Sequence, residues 1–310
     1  MHTYNLILYH VPERQCISDF MTIRNIMVGR APDIRVHVLS AASAVPADFW
    51  RMAAEKPSLI FSFAPLRLNP SVRGARFTSH SLTKLEEIDL ITAAGFTVPE
   101  TRRITPGIHF DDRTWGPFTV IKPNRGMKGR GVQLLRTKDV RFFDATKLVK
   151  DDPRHGHEFV AQRFIDTGTL VTCHRVMTLL GRPIYAATSI ALEQRPALDS
   201  DGVEPLDVPI AANDMVRKIT LCQDRDIIET AKSLHAALPH LPVMGVDIIR
   251  EHGTGRLFVL EFNSHGLVWH LSSKLGFNQQ RDNGIDFYGQ FNALSTMADA
   301  LIESTRSRAV

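Results

Sequence analysis

Two acidic residues inside apolar, strand-like runs constrain this chain more than any other feature of its sequence. The segment 243–263 is VMGVDIIREHGTGRLFVLEFN, with Asp247 inside its first apolar run and Glu261 inside its second. A polar, glycine-containing turn separates the two runs, which predicts a hairpin with strands at 245–249 and 257–262. A carboxylate in a buried strand costs free energy unless it is paired, hydrogen-bonded or bound to a metal ion. The sequence therefore predicts a specific partner for each acid.

Asn263 adds a third oxygen-bearing side chain to this pair. Side chains two residues apart on a strand point to the same face, so Glu261 and Asn263 project together, and Asp247 can join them from the partner strand. Three oxygen ligands on one sheet face suit a hard divalent cation such as Mg²⁺. The alternative is that both acids lie at strand ends and pair with Arg or Lys, and this segment by itself leaves the choice open.

Composition and charge exclude several classes of protein. The chain has 310 residues, enough for two or three domains, and its 44% hydrophobic and 23% charged residues are those of an ordinary soluble protein. No apolar run approaches the roughly 18–20 residues of a membrane span, and the N-terminus lacks the basic region of a signal peptide. Three cysteines, far apart and without a CxxC pair, favour a reducing, cytoplasmic location. The net charge of +4 is dispersed, so we expect phosphate or carboxylate ligands, no nucleic-acid partner and no membrane partner.

Alternating strand and helix patterns at the start of the chain predict a parallel α/β layer. Ser18 or Asp19 is the expected cap of the first helix, and Pro46 lies near the start of the second. A loop at 65–74 follows the third strand, at the sheet edge where ligands bind in open α/β sheets. The predicted strands are 4–10, 34–39 and 58–63, and the predicted helices are 20–27 and 46–55.

Lys84 lies at the start of a third predicted helix, which Thr83 caps and Gly95 ends. Its ammonium group would meet the positive end of the helix dipole, which is unfavourable unless an anion lies there. Lys84 is therefore either an anion-binding lysine or an exposed lysine at a frayed helix end.

A glycine-rich segment at 124–131 (NRGMKGRG) joins predicted strands at 118–122 and 132–135. Because it does not open a helix, it is neither a Walker A motif nor a dinucleotide-binding fingerprint. It predicts a hairpin lid whose backbone amides and cations can close over phosphates, with an exposed basic loop as the alternative. Lys122 ends an apolar strand, so we expect its ammonium group to face an anionic partner.

Strand and helix patterns continue to the end of the chain. Arg175 lies inside an apolar strand and needs an acid or a phosphate as its partner; a structural salt bridge and a functional contact both satisfy this. The predicted strands are 157–165, 174–180 and 184–189, the predicted helices are 224–238 and 289–306, and 193–208 is predicted to be a loop.

The ordered set of these segments resembles the ATP-grasp superfamily, particularly the carboxylate–amine ligases near glutathione synthetase and the enzymes that add glutamate to protein tails. The resemblance covers about residues 75 to 275 and is carried by Lys84 before AAGFTVPET, then FTVIKP with the glycine-rich loop, QRFI, HRVMTLLGRPI, GVDII and EFN. It implies an α/β (α+β) ATP-grasp fold in three parts. These would be an N-terminal parallel α/β domain at 1–95, a central lid subdomain at 96–165 and a C-terminal antiparallel-sheet domain at 166–310.

The resemblance also implies roles for individual residues. Asp247, Glu261 and Asn263 would hold Mg²⁺, and Arg175 would contact the substrate carboxylate or the transferred phosphoryl group, with Lys122 beside it as a catalytic residue. The expected ATP contacts are Lys84 and Lys122 on the phosphates, Gly126, Lys128, Gly129, Arg130 and Gly131 in the mobile loop, Gln162, Arg163, Phe164 and Ile165 at the adenine edge, and Asn213 near the phosphates.

Two departures from the family pattern concern the ribose and the substrate. Cys173 stands where an acid usually contacts the ribose, so Asp166 or a backbone group is a candidate for that contact. After EFN the family often has a Pro-Gly turn, whereas this chain continues SHGLVWHLSS. This segment is expected to lie beside the acceptor substrate, although a histidine more often has a structural role. The candidate substrate residues are His265, Trp269, His270 and Ser272.

The implied activity is ATP-dependent ligation of a carboxylate to an amine through an acylphosphate, with release of ADP and phosphate. Small molecules or peptides would supply the carboxylate and the amine, and a homodimer is compatible with the family. Two alternatives from other classes are a kinase that phosphorylates a small molecule at the same site and a nucleotide-binding module without turnover.

Overall fold

Three sheets follow one another along the part of the chain that the structure describes. The structure is a computed structural model, and it describes residues 3–66, 73–79, 81–126, 129–147, 155–196, 198, 210, 215–264 and 268–310. The first sheet is parallel, and the second and third are antiparallel. The predicted α/β (α+β) class is therefore confirmed.

The N-terminal sheet forms because its central strands are almost wholly apolar and buried. Its strands are β1 (Tyr4–His10), β2 (Ile34–Ser40), β3 (Ser58–Ser62) and β4 (Ala75–Thr78), in the order β2-β1-β3-β4. The sequence predicted the first three but not β4, in which Phe77 is the buried side chain of a four-residue strand too short to show a pattern.

Helices α1 (Ile17–Arg30), α2 (Ala47–Ala53) and α3 (Lys84–Ala93) follow the predicted order. The expected cap of α1 was wrong: Cys16 is the N-cap, because the carboxylate of Asp19 accepts hydrogen bonds from Trp269 and Ser272 instead. The predicted cap of α3 is confirmed. Thr83 accepts from the backbone of Glu86, whose side chain accepts from the backbone of Thr83 in return.

The central sheet encloses a small core of its own. This core contains Phe110, Trp115, Ile121 and Phe159, and the short helix α4 (Asp112–Trp115) supplies the tryptophan. The strands are β5 (Thr101–Arg103), β6 (Phe118–Pro123), β7 (Gln133–Arg136) and β8 (Phe159–Arg163), in the order β5-β8-β6-β7.

The C-terminal sheet has five strands among the described residues. One of its faces packs on helix α5, and the other packs partly on α7 and partly borders a cavity. The strands are β9 (Thr172–Leu179), β10 (Arg182–Ala191), β11 (Arg217–Leu221), β12 (Val243–Arg250) and β13 (Leu257–Asn263), in the order β11-β10-β9-β12-β13, and the helices are α5 (Arg225–Ala237), α6 (Lys274–Asn283) and α7 (Ala293–Arg308). Neither β11 nor α6 was predicted from the sequence.

Two helices pack across the domain boundaries that the sequence predicted. Ile91 of α3 joins the core under the C-terminal sheet with Val176 and Val246, although α3 falls within 1–95. Helix α7 packs on β10 of the C-terminal sheet and also on α1, β1 and β3, and the backbone N–H of Ser58 donates to the carbonyl of Val310 at 3.0 Å. The domain boundaries at 95 and 165 stay a prediction.

Among the described residues, no helix combines the length and apolar character needed to cross a bilayer.

Candidate active site

A cavity lies between the central sheet and the C-terminal sheet, and it collects most of the residues singled out in the sequence. The cavity-lining residues among them are Lys84, Lys122, Gly126, Gly129, Arg130, Gln162, Arg163, Phe164, Ile165, Arg175, Asp247, Glu261 and His270. Lys128, Asn213 and His265 lie outside the described residues. Their predicted roles, and those of the residues that line the cavity, stay predictions.

Strand register brings three charged side chains together on the floor of the cavity. Asp247 of β12 lies opposite Arg175 of β9 on one side and Glu261 of β13 on the other. The Arg175 guanidinium donates through Nε to Asp247 Oδ1 at 2.7 Å and through Nη2 to Oδ2 at 2.6 Å. This two-point pairing fixes both side chains and leaves them in the cavity wall.

The start of α3 docks on the end of β6, and this contact places two lysines side by side. Asn124, just after β6, accepts from the backbone of Lys84 through its carbonyl and from the backbone of Leu85 through Oδ1. Lys84 Nζ then reaches Glu261 Oε2 at 2.5 Å, and Lys122 Nζ lies 4.0 Å from the same oxygen. Glu261 therefore serves two cations that arrive from different parts of the chain.

Burial gives these groups unusual pKa values. Desolvation raises the pKa of Glu261, but the nearby charges of Lys84 and Lys122 outweigh it and hold that pKa at about 2. Desolvation, assisted by repulsion from Lys84, lowers the pKa of Lys122 to about 8. The ammonium group of Lys122 is thus poorly compensated in the structure and would gain from an anionic ligand.

Glu87 is an acid of this site that sequence analysis missed. Burial and the charge of Glu261 raise its pKa to about 8, so its carboxyl group is largely protonated at neutral pH. Helix spacing could have identified Glu87 from the sequence. It lies three positions after Lys84, and residues three apart on a helix share a face.

The segment expected at the adenine edge lies at the end of β8 with its side chains already engaged. Gln162 Nε2 donates to Thr101 Oγ1 at 2.9 Å, and Arg163 pairs with Glu251 at 3.3 Å. The backbone N–H groups of Arg163 and Phe164 also donate, to the carbonyls of Glu100 and Phe118, and the predicted adenine contact stays a prediction.

The ribose contact stays open in the structure. Asp166 is bound by the guanidinium of Arg195 at 2.8 Å and by the backbone N–H of Gly168 at 2.7 Å. Cys173 lines the cavity, and burial raises the pKa of its thiol, which is therefore neutral. A charged partner at the position of Cys173 is thus excluded, and a neutral hydrogen bond is what Cys173 can offer.

Neighbouring residues of the SHGLVWHLSS segment face opposite ways. His270 is buried, lines the cavity and stacks on Tyr185 with ring centres 5.8 Å apart. Trp269 and Ser272 are not among the described residues that line the cavity. Both donate to Asp19 of α1, at 2.9 and 2.5 Å. Trp269 and Ser272 therefore anchor the segment to the N-terminal layer, and the substrate contacts expected for these side chains stay predictions.

Strands β10 and β11 supply cavity residues that the sequence did not single out. Tyr185, Ala187 and Ser189 line the cavity at a period of two, and Arg217 joins them from β11. The hydroxyl of Ser189 is buried and has no hydrogen-bond partner among the described residues. The alternation along β10 was a usable signal, whereas β11 itself was not predicted.

Asp247 and Glu261 are paired with cations in the structure. This pairing with Arg or Lys is the alternative to a metal site that the sequence left open. The donor set nevertheless fits a hard divalent cation, because two carboxylates meet in register on one face of the sheet. Asn263 lies opposite Gly245, half-buried, at the next position on the face of Glu261, and it is not among the described cavity-lining residues. The cations that now hold the acids are themselves suited to phosphate oxygens.

No family model and no curated protein matches the sequence. Solved structures do match over nearly their whole length. D-cycloserine synthetase DcsG is 18% identical, with 97% of this chain and 99% of that chain covered and a TM-score of 0.51. The ATP-grasp ligase PsnB, in complex with a phosphomimetic variant of its minimal precursor, Mg and ADP, is 13% identical, with 98% and 99% covered and a TM-score of 0.53.

The macrocyclase MdnC from Microcystis aeruginosa MRC, bound with the precursor peptide MdnA, also matches. It is 9% identical, with 97% of this chain and 100% of that chain covered and a TM-score of 0.50. At these identities the likeness concerns the fold. Because it extends over nearly the whole of both chains, the resemblance found in the sequence is confirmed at that level, and this chain has the fold of the ATP-grasp ligases.

Proposed function

We propose that this protein is an ATP-dependent carboxylate–amine ligase that forms an amide bond through an acylphosphate. The observation that carries the proposal is the cavity between two sheets. In it, Lys84, Lys122 and Arg175 face two acids on adjacent strands. Phosphoryl transfer requires positioning and charge stabilisation more than covalent chemistry by the protein, and this cavity offers both.

The cations of the site would exchange partners when the nucleotide enters. Lys84 would move from Glu261 to a phosphate oxygen, and Lys122, which lies 4.0 Å from Glu261, would gain a closer anion. Asp247 of β12 would hold Mg²⁺ together with Glu261 and Asn263 of β13. When bound, Mg²⁺ further neutralises the phosphate charge. Arg175 would stabilise the charge on the transferred group.

In the first chemical step, an oxygen of the substrate carboxylate attacks the γ-phosphorus of ATP, and the bond from that phosphorus to the bridging oxygen breaks. The products of this step are an acylphosphate and ADP. The nitrogen of the amine then attacks the acyl carbon, and the carbon–oxygen bond to phosphate breaks. The departing phosphate can take the amine proton, so the reaction does not require a side chain as general base.

The glycine-rich segment supports exclusion of water from the acylphosphate. Gly126, Gly129 and Arg130 line the cavity beside the lysines. Gly129 and Gly131 have φ angles of 71° and 75°, a backbone region that glycine adopts most easily. A loop of this kind closing over the phosphates would protect the intermediate from hydrolysis.

Peptides belong among the substrates to be tested, because the PsnB and MdnC structures contain precursor peptides. The experiment incubates the protein with Mg·ATP and pairs of amino acids and short peptides, and follows ADP, free phosphate and product mass. A ligase yields equal amounts of ADP and phosphate, together with a product whose mass is the sum of both substrates less one water.

Two other outcomes would contradict the proposal. A product that carries phosphate, with ADP but no free phosphate, would identify a kinase. Nucleotide binding without ADP release across the whole panel would identify a binding module.

A further inference from the structure

Three metal-ligating side chains meet on the helix-covered face of the C-terminal sheet, away from the cavity. A ring nitrogen of His174, the sulfur of Cys222 and a carboxylate oxygen of Asp224 all lie within 4.8 Å of one another. His174 and Cys222 are buried, and Asp224 is exposed. Chain separation hides this cluster in the sequence, because the histidine and the cysteine are 48 positions apart.

The fold explains why these residues meet. Cys173 and Arg175 line the cavity, and because side chains alternate along β9, His174 between them faces the opposite side. Cys222 follows β11 directly, and its backbone N–H donates to Ala186 of the adjacent strand at 2.9 Å. Asp224 comes two residues later, at the start of α5.

The conformation of Asp224 is unusual for its position. It is the N-cap of α5, where an aspartate normally accepts a backbone hydrogen bond, yet its side chain makes no capping bond. Its carboxylate instead lies beside His174 and Cys222. Arg250 is 3.6 Å from Asp224 but closer to Asp226, at 2.8 Å, so Asp224 is the weaker of its two partners.

His174 is prepared for ligation. Burial lowers its pKa, so the imidazole is neutral at physiological pH, which is the form that binds metals. Its Nδ1 lies 2.9 Å from the hydroxyl of Thr188 on β10. A metal ion bound at Nδ1 would replace this hydrogen bond, because the nitrogen has a single lone pair to offer.

We propose that His174, Cys222 and Asp224 form a binding site for a divalent transition metal of the zinc type, separate from the nucleotide cavity. Nitrogen, sulfur and oxygen ligands suit Zn²⁺, and three protein ligands leave a fourth position for water. The distance of 3.9 Å between Cys222 Sγ and His174 Nδ1 compares with roughly 3.5 Å between nitrogen and sulfur ligands of tetrahedral zinc. The thiol of Cys222 gives its proton to solvent when the metal–sulfur bond forms. Bound metal would tie β9, which carries Arg175, to the start of α5.

Cobalt provides a direct test, because thiolate bonded to Co²⁺ produces a charge-transfer absorption that oxygen ligands do not. The full-length protein is stripped with a chelator and titrated with Co²⁺ and then with Zn²⁺. We expect the band to saturate at one equivalent of Co²⁺ and to disappear as Zn²⁺ displaces it. Because the cavity acids offer oxygen ligands, cation binding there does not produce this band.

Matched variants locate the site. Cys222→Ser should lose the band, whereas Cys173→Ser, which removes a thiol on the opposite face of the sheet, should keep it. Asp224→Asn, at an exposed position where folding is not at risk, should weaken Zn²⁺ binding by about tenfold or more. No band in the wild-type protein, an unchanged band in Cys222→Ser, or unchanged Zn²⁺ affinity in Asp224→Asn would each overturn the proposal.

Discussion

Lys122 is the residue whose charge depends most on what occupies the cavity. Its pKa of about 8 and that of Glu87, also about 8, mean that each group gives up a proton as pH rises through that value. The site then becomes more negative, so binding of ADP without Mg²⁺ should weaken. For one required proton the loss is about tenfold between pH 7 and pH 9. Isothermal titration calorimetry across this range measures it.

A matched variant separates the lysine from the rest of the site. Lys122→Arg keeps its charge throughout the range, so its affinity for ADP should lose the part of the pH dependence that comes from Lys122 and keep the part that comes from Glu87. Equal pH dependence in the wild-type protein and in Lys122→Arg would show that Lys122 does not titrate near pH 8.

Asp247 and Glu261 lend themselves to isosteric substitution. Asp247→Asn and Glu261→Gln keep shape while removing a charge, so ATP turnover should fall by about 100-fold or more as phosphate charge loses its stabilisation. Asp299→Asn is the control, since Asp299 pairs with Arg30 on the surface, far from the cavity. Turnover by either cavity variant at the level of Asp299→Asn would refute the assigned roles.

At the scale of elements, replacing two helical glycines by alanine should change the stability of the protein in opposite directions. A Cβ atom on Gly276 of α6 would lie 1.9 Å from the carbonyl oxygen of His270, whereas one on Gly29 of α1 would meet nothing within 4 Å. Gly276→Ala should therefore destabilise the protein by about 3 kcal/mol and disturb the segment that carries His270. Gly29→Ala should stabilise it by about 0.5–1 kcal/mol, because alanine favours helix. Urea unfolding measures both, and equal effects would show that α6 does not pack as described.

Local patterns predicted the longer elements well. Strands such as β1 and β12 are mostly apolar and α5 shows helical spacing, so the sequence of each predicts its burial. Strand β11 has one buried residue, Ile219, and α6 has one, Gly276, so neither carries a detectable period. Their places depend on neighbours that are distant in sequence.

At the scale of the whole molecule, the end of the chain stabilises its beginning. Leu301 of α7 is fully buried in a core that also contains Phe20 of α1 and Leu59 of β3. Leu301→Ala should therefore cost about 2–5 kcal/mol of unfolding free energy. Leu192→Ala, at a side chain that is 59% exposed, should change it by no more than about 0.5 kcal/mol. Similar urea midpoints for the two variants would contradict this packing.

The sequence by itself determined which residues need partners. A charged side chain inside an apolar strand costs free energy unless it has a partner. Sequence analysis identified four residues on that ground: Lys122, Arg175, Asp247 and Glu261. Tertiary structure decided who those partners are. Strand register set Arg175 against Asp247, and the docking of α3 on β6 brought Lys84 to Glu261.

The same division explains what sequence analysis missed. Glu87, Arg217 and the cluster of His174, Cys222 and Asp224 contain no local conflict, since each residue is ordinary in its own segment. Their contacts are made with residues that lie tens of positions away in the sequence and are brought near by sheet pairing. The burial pattern is a property of each strand alone, so the sequence shows it directly. Strand pairing depends on the whole sheet, so the sequence shows it less plainly.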